Sequence, residues 1–342
     1  MALSIYDTAA LIRTVEYLKE PQSFLLDTFF PNVVTSQTEF VAIDVFTGKR
    51  RLSPFVNPLI EGRLVEPIGF RSDAYKPPYI KDKRRLDPMR PVRRSMGERI
   101  GGDMTPQARE AANLGFELQD QINMLTRRLE WMAAQALALG SITVVGDGVP
   151  QAVVNFGRSS NLSIALSGAA RWGEAGVSPV ADIDAWSVRV LQESGFPVTD
   201  VLFTPGAWAY FRADPIVGQI IASFNNGAPD LRVQGNPAQA GAQFMGTWGS
   251  YRLHRYYDWY VDPVDNTEKP MIADNTVVLS SANVDGVRAF ATIMDPEVNY
   301  ASVPYAPKSW TTQDPGARWI MLQSAPLVIP TRVNASLAAT VR

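Results

Sequence analysis

The stretch "TPQAREAANLGFELQDQINMLTRRLEWMAAQALALG", residues 105–140, decides the architecture. Thr105 is a capping residue type, and Pro106 sits where a helix tolerates proline, at its first position. Ala111, Leu114, Leu118, Ile122, Leu125, Leu129, Met132, Ala136 and Leu139 then recur at steps of three and four, and Gly140 closes the run. At 1.5 Å per residue the predicted helix is about 50 Å long, beyond most globular helices. Only one stripe is apolar, so the helix is expected to lie along something wide, such as a sheet. A coiled coil fits the spacing too, but no second helix of comparable length is legible.

Upstream of the helix the character changes. Between 61 and 101 the chain has eleven Lys/Arg against six Asp/Glu, with prolines at 67, 77, 78, 88 and 91. No helical period survives so many prolines, and each pushes the preceding residue toward extended geometry. A basic excursion of this length is unusual in a compact domain. It is expected to be a two-stranded ribbon projecting from the body, because paired strands satisfy their own backbone groups. The glycine-rich "GERIGGD" at 97–103 is its expected hinge. The most charged part, "KDKRRLDPMRPVRR" at 81–94, holds seven Lys/Arg against two Asp.

Before the ribbon, residues 3–20 read as a short amphipathic helix and "EFVAIDVF" at 39–46 as a strand. Between them Phe24, Leu25, Phe29 and Phe30 crowd between two prolines. Either they pack on the chain's own core, or they form an arm whose rings dock on a neighbour. After the long helix, "SITVVGDGVPQAVVNFG" reads as a hairpin turning at Asp147-Gly148. A helix is expected from Asp182 or Asp184, a strand at "VLFTP" and a short helix at "PGAWAYFRADP". Residues 224–249, rich in glycine, are expected to be a loop. Antiparallel strands follow to the C-terminus, so the fold class is α+β.

The whole chain of 342 residues has net charge −2, 19% charged residues, one His and no Cys. That balance argues against a protein that coats DNA. It also removes disulfides, thiolate nucleophiles and sulfur zinc sites. His254 alone builds no triad and reads as structural. No GxSxG, P-loop or HExxH occurs. Asp262, Asp265 and Glu268 sit in a turn whose spacing is unlike a calcium loop. The expectation is no enzyme, no cofactor and no metal. No signal peptide or membrane span is legible, which places the chain in a cytosol when it is made.

Several stretches, in order, resemble the major capsid proteins of lambda-like tailed bacteriophages. "FLLDTFFP" (24–31) resembles that family's opening arm, and "VNPLIEGRLV" (56–65) with "PPYIKDKRRLDP" (77–88) its extended loop. "NFGRSSNLS" (155–163), "DIDAW" (182–186) and "LFTPGAWAYFRADP" (202–215) match as a series. The most specific pieces are "ADNTVVLSSANVDGVRAFATIMD" (273–295) and "YAPKSWTTQDPGARWIMLQSAPLVIP" (305–330). Residues 216–260 match poorly.

The resemblance implies the HK97-like capsid fold, with an N-terminal arm at 1–34 and peripheral-domain strands at 35–60. It puts the extended loop at 61–104, the spine helix at 105–144, a mainly axial domain at 145–295, and shared C-terminal strands at 296–342. It implies a structural protein that self-assembles, in a bacterial cytoplasm, into the icosahedral virion shell around double-stranded DNA. Implied partners are copies of the chain as hexamers and pentamers in a T=7 lattice, a portal protein, a separate scaffolding protein and a head protease. The lambda-like branch also uses a decoration protein at the three-fold positions, and DNA is contacted without sequence preference.

Expected contacts between subunits are Phe24, Phe29, Phe30, Tyr79, Arg84, Arg85, Arg93 and Arg94, the arginines meeting a neighbour's carboxylates as bidentate forks. Lys81 and Arg90 are expected to be spectators. Some capsids of this fold form Lys–Asn isopeptide bonds; Lys81 and Lys83, in so basic a run, are expected to stay unlinked. The alternatives are a nucleic-acid-binding protein using 81–94, or a carboxylate-based hydrolase built on Asp262.

Overall fold

The computed structural model describes residues 11–12, 23–46, 52–65, 70–86, 89, 104–146, 149–217, 241–313 and 317–342. Four helices are used below: α1 (Phe24–Phe29), α2 (Pro106–Leu139), α3 (Pro179–Ser194) and α4 (Pro205–Ala213). The long helix α2 has the expected bounds. The Thr105 side chain accepts from the Ala108 N–H at 3.2 Å, and Gly140 ends the helix at φ +68°, a left-handed value that suits glycine. The stripe from Leu114 to Ala136 is buried, whereas Ala111 and Leu139 at its ends are exposed.

That stripe lies on two different sheets. Its first half, Leu114 to Leu125, packs with Ile320, Leu322 and Leu11. Its second half, Leu129 to Leu137, packs with α1 and with Leu327, Val328 and Ile329. The first sheet has the order β15 (Ala306–Thr312), β16 (Ala317–Ser324), β4 (Ile80–Leu86), all antiparallel. The second has β1 (Asn32–Thr35) parallel to β14 (Gly286–Phe290), which pairs antiparallel with β17 (Pro326–Pro330).

A six-stranded sheet forms a second body. Its order is β7 (Ser163–Ala165), β18 (Ser336–Thr340), β13 (Thr276–Ser280), β8 (Asp200–Phe203), β10 (Tyr251–Tyr256), β9 (Ala242–Trp248). Helices α3 and α4 cover it through Trp186, Val190, Ala207 and Phe211. Trp172 stacks on Trp186 with ring centres 5.9 Å apart, and its indole N–H donates to Asp182. The hairpin expected over 141–157 is present as β5 (Ser141–Gly146) and β6 (Val149–Asn155). Strands β11 (Trp259–Val261) and β12 (Glu268–Pro270) form a small hairpin.

Three expectations are corrected. The described parts of 61–101 do not pair with one another as one projecting ribbon. The free hairpin is β2 (Val41–Phe46) with β3 (Phe70–Tyr75), paired from Val41↔Tyr75 to Phe46↔Phe70, and residues 52–65 belong to its far end. Strand β4 instead joins the sheet under α2, because Ile80 and Leu86 complete the apolar floor beneath Leu114 and Leu118. Helix α3 begins at Pro179, before the acids taken as its start. Within 224–249, residues 242–248 are a strand, not loop; its pairing with β10 outweighs Gly246. The expected helix over 3–20 and the GERIGGD hinge lie outside the described residues, apart from Leu11 and Ile12.

Candidate assembly surfaces

The arm aromatics come first. Phe24, Phe29 and Phe30 are buried in this chain's own core, the alternative that their sequence context left open. Ser23 gives α1 no side-chain cap. The cap comes from α2: Glu130 accepts the N–H groups of Leu25 at 2.9 Å and Leu26 at 3.0 Å, and the Tyr256 hydroxyl donates to it at 3.1 Å. Burial pushes the Glu130 carboxyl up to about 7, against the three hydrogen bonds that favour its anion. Phe24 also lies 4.9 Å from the His254 ring. One carboxylate thus ties the arm, the long helix and the six-stranded sheet together. Nothing local signals this, since the partners are more than 100 residues apart.

His254 is buried in β10. Its Nε2 lies 3.1 Å from the buried Asp200, which also accepts from Arg252 at 2.7 Å and from Thr199. Burial raises the Asp200 carboxyl, but the three bonds outweigh it and hold the group below its usual range. Asp262 and Asp265 do not converge on an open site: the Lys269 ammonium contacts both, at 2.6 and 2.8 Å. Both acids are lowered, chiefly by the hydrogen bond from that lysine. The described residues hold no group of three His, Asp or Glu able to bind a metal.

The basic run divides by strand alternation. Tyr79 donates to Gln323 and accepts the Met294 N–H, so its hydroxyl serves this chain. Arg84 turns toward α2 and contacts Asp120 at 2.6 Å, Glu117 at 3.0 Å and Asp82 at 3.3 Å. Burial works against its charge, yet these acids raise its pKa on balance. Its guanidinium is spent inside the subunit, because even-numbered positions of β4 face the helix. Arg85 is exposed on the other face, together with Lys81 and Lys83. Arg93 and Arg94 lie outside the described residues.

The other conspicuous surface is the end of the β2–β3 hairpin. Leu52, Phe55, Leu59 and Leu64 are between 90% and 106% exposed, and Val56, Ile60 and Val65 are exposed beside them. So many large apolar side chains on one segment mark a surface that something else covers. No helix among the described residues is long and apolar enough to cross a membrane.

Known proteins resemble this chain in sequence and fold. The chain is 27% identical to the major capsid protein of Escherichia phage lambda over 335 residues, covering 96% of each. It is 26% identical to the major capsid protein of Escherichia phage N15, with the same coverage. The crystal structure of a prophage capsid protein from E. coli CFT073 matches with TM-score 0.74 and 22% identity over 100% of both chains, a shared fold. The α+β architecture is therefore the HK97-like capsid fold. The model of the family described as phage major capsid protein E matches residues 7–341, and the chain belongs to that family.

Proposed function

We propose that this chain is the major capsid protein of a lambda-like phage, self-assembling into the head shell that encloses double-stranded DNA. The observation that carries the proposal is the exposed apolar end of the β2–β3 hairpin, where Leu52, Phe55, Leu59 and Leu64 are almost wholly exposed. In a shell each hairpin end lies over an adjacent subunit, and the apolar side chains lose their contact with water there. Burying one such side chain is worth about 1.5–3 kcal/mol, so four of them supply a substantial driving force for association.

The finer arrangement follows the resemblance. Copies form hexamers and pentamers in a T=7 lattice, the arm and the α2 region form the peripheral part, and most of 145–295 meets its copies around the axes. The extended loop of this proposal is the β2–β3 hairpin, in place of 61–104. A portal protein, a scaffolding protein, a head protease and a decoration protein complete the assembly. Arg93 and Arg94 remain proposed contacts between subunits, and Arg85 is given a different partner below. Electron microscopy of the expressed chain under assembly conditions tests the function: closed icosahedral particles are expected. Particles that Leu59→Asp with Leu64→Asp fails to block would refute the role given to the hairpin end, and a persistently monomeric wild type would refute the shell.

A further inference from the structure

The outward face of the β4–β16–β15 sheet carries charge that no carboxylate among the described residues answers. Lys81, Lys83 and Arg85 stand exposed on it. Cross-strand register extends the face through the rows Lys83–Met321–Lys308 and Arg85–Trp319–Trp310. Lys308 is neutralised by Asp295 at 3.1 Å and Glu297 at 3.2 Å. Lys81, Lys83 and Arg85 have no carboxylate partner among the described residues. Their neighbours are aromatic. The Lys83 ammonium is 4.1 Å from the centre of the Trp319 ring and 5.3 Å from that of Trp310, and Lys81 is 5.1 Å from that of Tyr79. Ring contacts of this kind fix a lysine in place without cancelling its charge.

We propose that this face docks an extended acidic segment of a separate protein chain. Cations two residues apart on a strand stand about 6.8 Å from one another. Lys81, Lys83 and Arg85 thus form a comb with the repeat of an extended peptide that has carboxylates at alternate positions. A second copy of this chain is not the source: no described strand carries carboxylates two apart, and Asp295 and Glu297, which are two apart, are spent on Lys308. Nucleic acid fits less well. A base would stack on an open ring, and Lys83 already covers Trp319. The three cations of this face among the described residues also neutralise fewer phosphates than the roughly six to ten contacts of a strongly salt-dependent DNA binder. The rival account is that β4, an edge strand, carries lysines only to keep other strands from pairing with it.

The test is fluorescence anisotropy on the full-length, unassembled chain in about 0.15 M salt. Three labelled probes are compared: an eight-residue peptide alternating Glu and Thr, a peptide with the same residues in two blocks, and a 20-base-pair DNA duplex. The alternating peptide is expected to bind about tenfold more tightly than the block peptide. Lys81→Gln, Lys83→Gln and Arg85→Gln together are expected to remove about tenfold of that affinity, at roughly twofold per exposed pair, with the urea midpoint unchanged. Should the triple variant fold poorly, Arg85→Gln alone is expected to lose about twofold. Equal binding of the two peptides, saturable binding of neither, or tighter binding of the duplex would each overturn the proposal; the last would make the face a nucleic-acid surface, and the second would leave edge protection as its role.

Discussion

Glu130→Gln separates two things that the buried carboxylate does at once. In the wild type one oxygen accepts from Leu25 N–H and the Tyr256 hydroxyl, and the other accepts from Leu26 N–H. Burial holds the group at about 7 in place of 4.5. The folded value is the higher one, so this group's contribution to stability is fully present below pH 4.5 and is lost as pH rises through 7. A displacement of about 2.5 units at 1.36 kcal/mol each gives about 3 kcal/mol across that window. Glutamine cannot ionise, but its amide presents one acceptor and one donor, so one hydrogen bond of the three is lost at a cost of about 1–3 kcal/mol. Urea unfolding of the unassembled subunit, followed by tryptophan fluorescence at pH 5, 6, 7 and 8, reads both effects. The variant is expected to be the less stable protein at pH 5, and the difference is expected to shift by about 2.5 kcal/mol in its favour by pH 8. Hydrogen exchange at Leu25 and Leu26 places the loss at the start of α1. A gap that stays constant within about 0.5 kcal/mol from pH 5 to 8 would show that the carboxyl is not raised, and the account of this junction would fail.

Three further outcomes are expected. Gly286→Ala puts a methyl group into the Phe30 ring and the Phe29 carbonyl, so unfolding free energy is expected to fall by about 1–3 kcal/mol, with the arm detaching first in limited proteolysis. Arg158→Ala strips the end of α2 of a charged donor that bonds the carbonyls of Leu137 at 2.6 Å and Ala138 at 2.7 Å, which is expected to cost about 2–4 kcal/mol by chemical denaturation; a loss under 0.5 kcal/mol would refute its capping role. Mature heads boiled in detergent are expected to run as one band near 37.6 kDa; a ladder of multimers would show covalent links between subunits.

What was legible in the sequence was local. Helix α2 announced itself because its cap, its first proline, its apolar period and its closing glycine all lie within one 36-residue stretch, and each acts on its nearest neighbours. The β5–β6 hairpin and the short helix α4 were legible for the same reason. The pairing of β4 with β16 was not, since its partner begins more than 230 residues later and nothing in "IKDKRRL" names it. Prolines at 77 and 78 end the hairpin side of the run, so the chain could leave β3 and enter a different sheet while composition stayed basic throughout. Glu130 was missed because a lone acid on an apolar stripe carries no mark of the amides it meets, 104 and 105 residues away.

The basic run shows why composition and function part company here. Read as a block, 81–94 is a single positive patch. Its described part, strand β4, has two faces with opposite fates. Asp82 and Arg84 point at α2, where Glu117 and Asp120 already lie one helical turn apart, so Arg84 closes an ion network and locks the sheet to the helix. Lys81, Lys83 and Arg85 point away and keep their charge for something outside the subunit. A one-residue slip of β4 against β16 would exchange these roles, burying three cations against Leu118 and Ile122 and exposing Ile80 and Leu86. The desolvation cost of that slip exceeds what any ion pair there would return. The apolar ends of β4 therefore set its register, and the register decides which arginine holds the subunit together and which cations are left to meet a partner.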